Sequence, residues 1–362
     1  MKKEKPDYIL LIIVALIIVF GLFILAGTAP IGSGSRFMMQ IGIGFLPGIL
    51  IGFALYKLPI SKIQKWAPYP FFINLSFLVL LLLPFFRGEM RGSNRWLNLG
   101  GFSFQPTELL KLTFVLYISS WLIAKIQEQK KHSNFSNIVF LIFVGICGLI
   151  AFLLYCQPDL STMIIILATA GVVYFVAKTP LWHFFALIVI GIVVFGSFLA
   201  LKPYQLERVK SIFSSDTNLQ DENYQANQFR IAVGSGGLLG QGIGMSKQKF
   251  GWLSFPASDS IYAVLGEETG FIGSIMLLFL FFAFFWRGLL IAKNNTNGFA
   301  RLVAIGICSW IFGQALVNMG VVVGIFPVTG IPLPLISYGK SHLITELMAI
   351  GILLNTSQYV RK

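Results

Sequence analysis

The order of apolar and polar residues divides the 362-residue chain into ten apolar runs separated by more polar segments. A helix of about 20 apolar residues spans the ~30 Å hydrocarbon core of a bilayer. The first run, Tyr8 to Gly27, has no charge, and the last, Leu343 to Asn355, is the shortest. The other runs cover residues 37–56, 68–86, 106–124, 138–155, 160–177, 181–201, 271–292 and 299–324. The pattern predicts an all-α, polytopic membrane protein of about ten transmembrane helices.

Three connections between the runs differ from the others. Residues 87–105 and 202–260 form long connections, the second between predicted helices seven and eight, and residues 325–340 are rich in proline and glycine. If the N-terminus is cytoplasmic, all three lie on the extracytoplasmic side. Loops held by a rigid scaffold often carry function. We therefore expect a single membrane domain over residues 1–362 whose working face is the outer one.

Composition and charge agree with this topology. The chain is 56% hydrophobic and 11% charged, with a mean hydropathy of +0.80, whereas soluble domains carry roughly 25% charged residues. With the N-terminus inside, the cytoplasmic segments hold fifteen Lys and Arg residues and the short outer loops five. Positive charge is enriched in cytoplasmic loops, so both termini are predicted to be cytoplasmic. This distribution accounts for the net charge of +13 without a nucleic-acid partner.

Charged residues within the apolar runs are candidates for function, because burying a charge in the membrane is expensive. Glu108 and Lys111 are three residues apart on one predicted helix face and can form an ion pair. The pair could fix helix packing, form the floor of a polar cavity, or do both. Asp159 follows a Gln-Pro turn, where we favour a helix N-cap.

A cluster of acidic residues ends the longest connection. Asp259 precedes the eighth predicted helix, and Glu267 and Glu268 follow two turns later. An N-cap explains Asp259, whereas general-base chemistry or cation binding would use all three carboxylates. The glycine-rich segment 234–244 matches neither a dinucleotide-binding nor a Walker A motif. We interpret it as a turn region in which backbones pack closely.

Five motifs, in order, resemble those of the SEDS family, whose members include FtsW, RodA and SpoVE. Residues 95–100 read Arg-Trp-Leu-Asn-Leu-Gly, and residues 105–112 read Gln-Pro-Thr-Glu-Leu-Leu-Lys-Leu. Gln-Pro-Asp-Leu-Ser-Thr occupies residues 157–162, and Asp-Ser-Ile-Tyr-Ala-Val-Leu-Gly-Glu-Glu occupies residues 259–268. Residues 327–339 read Pro-Val-Thr-Gly-Ile-Pro-Leu-Pro-Leu-Ile-Ser-Tyr-Gly. Within the family, the segment Ser-Lys-Gln-Lys-Phe before the acidic cluster looks more like FtsW than RodA.

The resemblance implies a peptidoglycan glycosyltransferase that polymerises lipid II into β-1,4-linked glycan and releases undecaprenyl pyrophosphate. The family's essential loop aspartate corresponds to Asp259, which we expect to accept the proton of the attacking sugar hydroxyl. Cationic groups, or a bound Mg²⁺ or Mn²⁺ ion, would stabilise the leaving pyrophosphate. The residues expected to contact substrate are Arg95, Trp96, Gln105, Glu108, Lys111, Ser337 and Lys340.

The resemblance also implies a bacterial cytoplasmic-membrane location and a role in cell division or cell shape. The expected partner is a class B penicillin-binding protein, a transpeptidase, together with other divisome or elongasome membrane proteins and lipid. Two alternatives remain open, namely a lipid II flippase and a non-catalytic scaffold for the transpeptidase. The polar residues cluster near one face and no internal repeat is evident, which favours surface chemistry over transport.

Two short segments depart from the family pattern. The family usually has a second glycine and two serines after Ser-Tyr-Gly, whereas this chain has Lys340, Ser341 and His342. The family often has an acidic residue before its aspartate, whereas this chain has Ala257 and Ser258. These changes leave open an altered activity, a structural paralogue, or an extra pyrophosphate contact from Lys340.

Overall fold

The computed structural model describes residues 4–28, 35–83, 87–90, 93–99, 102–129, 135–201 and 221–360. The described chain is predominantly helical, with only three short strands, which confirms the predicted all-α fold class. The first part of the predicted long connection, residues 202–220, lies outside the described residues. The helices are α1 (Tyr8–Thr28), α2 (Ser35–Met39), a π-helical turn (Gln40–Phe45), α3 (Leu46–Lys57), α4 (Ile60–Trp66), α5 (Pro68–Leu80), α6 (Pro106–Gln129), α7 (Phe135–Cys156), α8 (Leu160–Val176), α9 (Leu181–Leu201), α10 (Asp221–Gly236), α11 (Ile261–Lys293), α12 (Gly298–Val322) and α13 (Lys340–Ser357).

Each of the ten predicted apolar runs overlaps a helix. Six helices within the described residues are long and apolar enough to cross a membrane on their own, and α8 and α9 add two shorter apolar helices. The chain is therefore a multi-pass membrane protein. The number of ten spans stays a prediction, because α5 is only 13 residues long and α13 carries several polar residues.

A small antiparallel sheet, which the sequence pattern did not predict, lies in the connection between α5 and α6. Its strands are β1 (Arg87–Met90), β2 (Ser93–Leu99) and β3 (Phe102–Phe104), in the order β1-β2-β3. Leu97 pairs with Arg87 on one side and Phe104 on the other. Strands this short carry too little alternation to stand out among apolar runs. The middle strand carries Arg95 and Trp96.

Helix α12 is the central element of the fold. In the 18-residue stretch of α12 that was compared with the other helices, 72% is buried, whereas the corresponding stretches of α1, α7 and α11 are each 33% buried. It packs against α6, α8, α11 and α13. A lipid-facing helix exposes one side to the bilayer, whereas a helix surrounded by protein can carry polar groups inward. Its C-terminal half carries the buried residues Gln314 and Asn318.

The glycine-rich segment after α10 packs directly on the backbone of α11. Helix α11 breaks at Gly270, which has φ 66° and ψ −162°. The backbone NH groups of Gln241 and Gly242 donate to the carbonyls of Glu267 and Glu268, each at 3.0 Å. A Cβ on Gly240 would overlap the Glu268 carbonyl. The predicted close backbone packing is confirmed.

Candidate functional site

A polar cleft opens where the sheet, the N-terminal end of α6 and the proline-rich connection before α13 meet. The centre of a water-sized molecule can occupy about 70 Å³ of it, and part of the cleft is open to solvent. Helix α6 begins here with Pro106, whose fixed φ suits the first helical position, and Glu108 and Lys111 near this end of the helix line the cleft. The cleft is lined by Arg95, Gln105, Glu108, Lys111, Pro158, Asp159, Leu160, Ser161, Thr162, Ile165, Gly330, Ile331 and Pro332.

The predicted ion pair forms the floor of this cleft. Lys111 Nζ lies 2.8 Å from Glu108 Oε2, and both residues are 4% exposed. Lys111 Nζ also donates to Gln314 Oε1 at 2.8 Å and lies 5.4 Å from the centre of the Trp310 ring. The two interpretations of the pair are therefore compatible, because it joins α6 to α12 and also lines the cavity.

A second cation–carboxylate pair forms the wall. The guanidinium of Arg95 lies 3.4 Å from Asp159 Oδ1 and also donates to the carbonyls of Gln157 and Pro158. The same Asp159 oxygen accepts the backbone NH of Thr162 at 3.3 Å, so the predicted N-cap of α8 is confirmed. The Arg95 side chain is 31% exposed. It therefore offers positive charge to a ligand in the cleft.

Asp259 lies beside the cleft rather than among its lining residues. Its Oδ2 is 3.6 Å from where a Cβ on Gly330 would stand, and Gly330 lines the cleft. Asn318 Nδ2 donates to the Asp259 carbonyl at 2.9 Å and to the Ile331 carbonyl at 2.8 Å. The N-cap position of α11 is Ser260, so Asp259 precedes the cap. The residue as a whole is partly exposed.

Three other residues predicted to contact substrate lie outside the lining of the cleft. Ser337 is fully buried, accepts the Leu333 NH at 2.7 Å and donates to the Ser258 carbonyl at 2.7 Å. Trp96 is partly buried on β2, and Lys340 is partly exposed at the first position of α13. Gln105, Glu108, Lys111 and Arg95 are the predicted residues that the fold brings together.

Glu267 and Glu268, which the sequence grouped with Asp259, bind the loop of residues 246–249 that follows the glycine-rich segment. Glu267 accepts hydrogen bonds from the Ser246 hydroxyl at 2.5 Å and the Lys247 NH at 2.9 Å. Glu268 pairs with Lys249 Nζ at 2.9 Å, and both side chains are buried. These two carboxylates fasten the loop to α11, which leaves Asp259 as the partly exposed member of the cluster.

Among the described residues, no three His, Cys, Asp or Glu side chains are grouped so that they could hold a metal ion. The two acidic side chains of the cleft, Glu108 and Asp159, are already paired with Lys111 and Arg95. Divalent cations need several oxygen ligands.

Two amides of α12, which sequence reasoning overlooked, connect the parts of the site. Gln314 joins Lys111 to the carbonyl of Pro332, at 2.8 and 2.9 Å. Asn318 joins Asp259 to Ile331. Both are buried amides in an apolar run, and buried polar groups require partners. Their position within a predicted membrane span is the sequence feature that could have identified them as functional candidates.

Comparison with known proteins gives consistent results. Residues 7–362 match the model of the FtsW/RodA/SpoVE family, described as cell cycle proteins. The chain is 35% identical to stage V sporulation protein E of Bacillus subtilis, over 99% of both chains. It is 32% identical to the probable peptidoglycan glycosyltransferase FtsW of Nitrosococcus halophilus, over 99% of this chain and 93% of that one. The predicted preference for FtsW within the family stays a prediction.

Solved structures share the fold. One of them comes from a study of a peptidoglycan synthase complex that coordinates polymerization and crosslinking. It aligns with a TM-score of 0.76 and 28% identity, covering 97% of each chain. The rod-shape-determining protein RodA of Thermus thermophilus aligns with a TM-score of 0.71 and 26% identity, covering 99% of this chain and 98% of that one. The motifs, the fold and the family match agree, and the chain belongs to the FtsW/RodA/SpoVE (SEDS) family of membrane proteins.

Proposed function

We propose that this protein polymerises lipid II into β-1,4-linked glycan strands at the outer face of the bacterial cytoplasmic membrane, with release of undecaprenyl pyrophosphate. The observation that carries the proposal is the arrangement of charge. Two cations, Arg95 and Lys111, line one cleft, and the carboxylate of Asp259 lies next to its wall at Gly330. Relatives named as probable peptidoglycan glycosyltransferases support the same activity.

The reaction requires a base and a way to stabilise negative charge. A sugar hydroxyl of one lipid-linked unit attacks the anomeric carbon of another, and the bond to the pyrophosphate breaks. In this proposal, Asp259 accepts the hydroxyl proton as the glycosidic bond forms. The leaving pyrophosphate takes the electron pair of the broken bond, and preorganised cations stabilise the charge that develops on it.

Arg95 and Lys111 are the residues we assign to the pyrophosphate. Arg95 presents a planar set of donors suited to phosphate oxygens, and its side chain is partly exposed. Lys111 lies deeper and is held by Glu108 and Gln314. Gln105 lines the same cleft and supplies an amide for the sugar. Trp96 and Lys340 remain proposed substrate contacts that would require the substrate to reach beyond the cleft. Ser337 is fully buried and would act on substrate only indirectly, by holding the backbone before Asp259.

A divalent cation remains a proposed source of further positive charge. Because the described cleft offers no group of three candidate protein ligands, Mg²⁺ or Mn²⁺ would be bound mainly by the phosphates of the substrate itself. Activity measured in EDTA, and again after Mg²⁺ or Mn²⁺ is added back, decides whether such an ion is required.

The proposed setting is the cytoplasmic membrane with both termini inside and residues 221–260 outside. We propose a class B penicillin-binding protein as partner, because a structural neighbour was studied in a peptidoglycan synthase complex that couples polymerization to crosslinking. Other divisome or elongasome membrane proteins would then assemble around the pair, in division or in cell-shape control.

The polymerase proposal is tested by adding lipid II to the purified protein, with and without its cognate class B transpeptidase, and resolving the glycan products by gel electrophoresis. We expect a ladder of polymer that persists when the transpeptidase active site is inactivated. Transfer of lipid II across proteoliposomes without polymer would support a flippase instead. Absence of both activities from well-folded protein with its partner would support a scaffold.

A further inference from the structure

Glu346 is a buried carboxylate to which the chemistry above gives no role. It lies in the middle of α13 and is 0% exposed. Its Oε2 accepts the backbone NH of Leu335 at 2.7 Å, while its Oε1 is buried without a hydrogen-bond partner. A carboxyl group inside a membrane protein is costly. The reason for burying a carboxyl group here is therefore to be found in the segment that it contacts.

The contacted residue occupies an unfavourable backbone conformation. Leu335 has φ 63°, in the left-handed region that side-chain-bearing residues rarely adopt. Such conformations persist only where the surrounding structure holds them. The side chain of Leu335 is itself buried, and its NH is the group that Glu346 binds. The carboxylate is thus placed to hold this turn.

The turn lies between two parts of the site. Upstream, residues 330–332 form a wall of the cleft. Downstream, Ser337 donates to the Ser258 carbonyl and the Tyr338 NH donates to the Ala257 carbonyl, both at 2.7 Å. Ala257 and Ser258 immediately precede Asp259. A shift of the turn would therefore move both the cleft wall and the backbone that carries the proposed base.

We propose that Glu346 is a positioning residue: by binding the Leu335 NH it fixes the turn that aligns the cleft wall with Asp259. This inference rests on the proposed function where it is tested by the polymerisation rate. Its test by hydrogen–deuterium exchange does not depend on the proposed function. An alternative role is electrostatic, since Glu346 lies within range of the charges of Lys111 and Glu108. The positioning role requires a hydrogen-bond acceptor for the Leu335 NH, whereas the electrostatic role requires the negative charge of Glu346.

Three substitutions separate these roles. Glu346→Gln keeps an acceptor for the Leu335 NH and removes the charge, whereas Glu346→Asp keeps the charge but shortens the reach by one methylene. Glu346→Met removes both at similar side-chain length. The control is Thr345→Val, since Thr345 is equally buried on the same helix but bonds only within it, to the Ser341 carbonyl at 3.0 Å.

The first measurement is hydrogen–deuterium exchange over residues 333–338 in purified protein. We expect exchange at least ~10-fold faster in Glu346→Met and in Glu346→Asp, and near wild type in Glu346→Gln and Thr345→Val. The second is the rate of lipid II polymerisation, where kcat should fall at least ~10-fold for the Met and Asp variants. The Gln variant should retain most activity.

Unchanged exchange in both Glu346→Met and Glu346→Asp would overturn the proposal. A Gln variant as impaired as the Met variant would overturn it in favour of the electrostatic role. If Glu346→Met does not fold, Glu346→Asp and Glu346→Gln still distinguish the positioning role from the electrostatic role. If the wild-type protein shows no polymerisation, the proposed function fails, while the exchange comparison still decides the role of Glu346.

Discussion

The ion pair of Glu108 and Lys111 is enclosed by protein and lines the cleft. Removing one partner of a buried pair leaves an uncompensated charge and costs about 3–5 kcal/mol. We expect Lys111→Met to lower the free energy of unfolding by that amount, and the double variant with Glu108→Gln to be less destabilised. Both should lose polymerisation, because the cation is gone. Thermal unfolding in detergent and the polymerisation rate are the measurements.

The exposed pair of Lys125 and Glu128 provides a matched control on the same helix. It has the same three-residue spacing, but its side chains are 27% and 56% exposed. Exposed pairs contribute about 0.2–1 kcal/mol, so Lys125→Met should leave both stability and polymerisation close to wild type. Equal losses in Lys111→Met and Lys125→Met would show that burial in the cleft has no special importance.

The interactions of some of these residues could be predicted from their spacing in the sequence. Those of other residues depend on contacts between distant segments and could not. The pair at positions 108 and 111 and the cap at Asp159 depend on neighbours within one helical turn, so the sequence was sufficient. The pair of Arg95 and Asp159 joins a strand to a turn 64 positions away, and no local pattern reports it. Gln314 and Glu346 each lie in an apolar run, and their partners Lys111 and Leu335 lie outside that run, so no local spacing indicates their roles.

At the scale of elements, the contact between the glycine-rich segment and α11 requires glycine at Gly240. This residue has φ 83°, and a Cβ there would overlap the Glu268 carbonyl. We expect Gly240→Ala to reduce the yield of folded protein and lower its melting temperature. Gly234→Ala is the control, because Gly234 lies in α10 with open space at its Cβ position. Alanine is better than glycine in a helix by roughly 0.5–1 kcal/mol.

Fluorescence-detected size-exclusion chromatography before and after heating compares the two variants. A Gly240→Ala protein as stable as Gly234→Ala would contradict the close packing described for this segment.

The predicted helices were recovered because continuous apolar runs are the strongest signal a membrane protein carries. The three-stranded sheet was missed, since its strands of 3–7 residues lie in a connection that the pattern marks only as polar. The break of α11 at Gly270 was also missed. It depends on the approach of the segment near Gly240, which is a tertiary contact rather than a local preference.

At the scale of the whole molecule, the orientation in the membrane decides which face carries the site. The excess of Lys and Arg in alternate connections predicts cytoplasmic termini. A green fluorescent protein fused after Lys362 should therefore fluoresce, and alkaline phosphatase fused there should be inactive. Alkaline phosphatase fused after Leu201 should be active, because the chain is then predicted to be outside. The reverse pattern would place the cleft on the cytoplasmic side and remove the basis for glycan synthesis.

The proposed reaction depends on the carboxylate of Asp259, which acts as the base of a lipid II polymerase. Its most direct test is the initial rate of polymerisation by Asp259→Asn beside wild type, in the same reconstitution with the cognate class B transpeptidase. Asparagine is nearly isosteric, so the backbone hydrogen bond from Asn318 should persist. General-base catalysis contributes about 10²–10⁴-fold, and we predict a loss in that range with folding unchanged. A variant that polymerises lipid II at the wild-type rate would contradict the account.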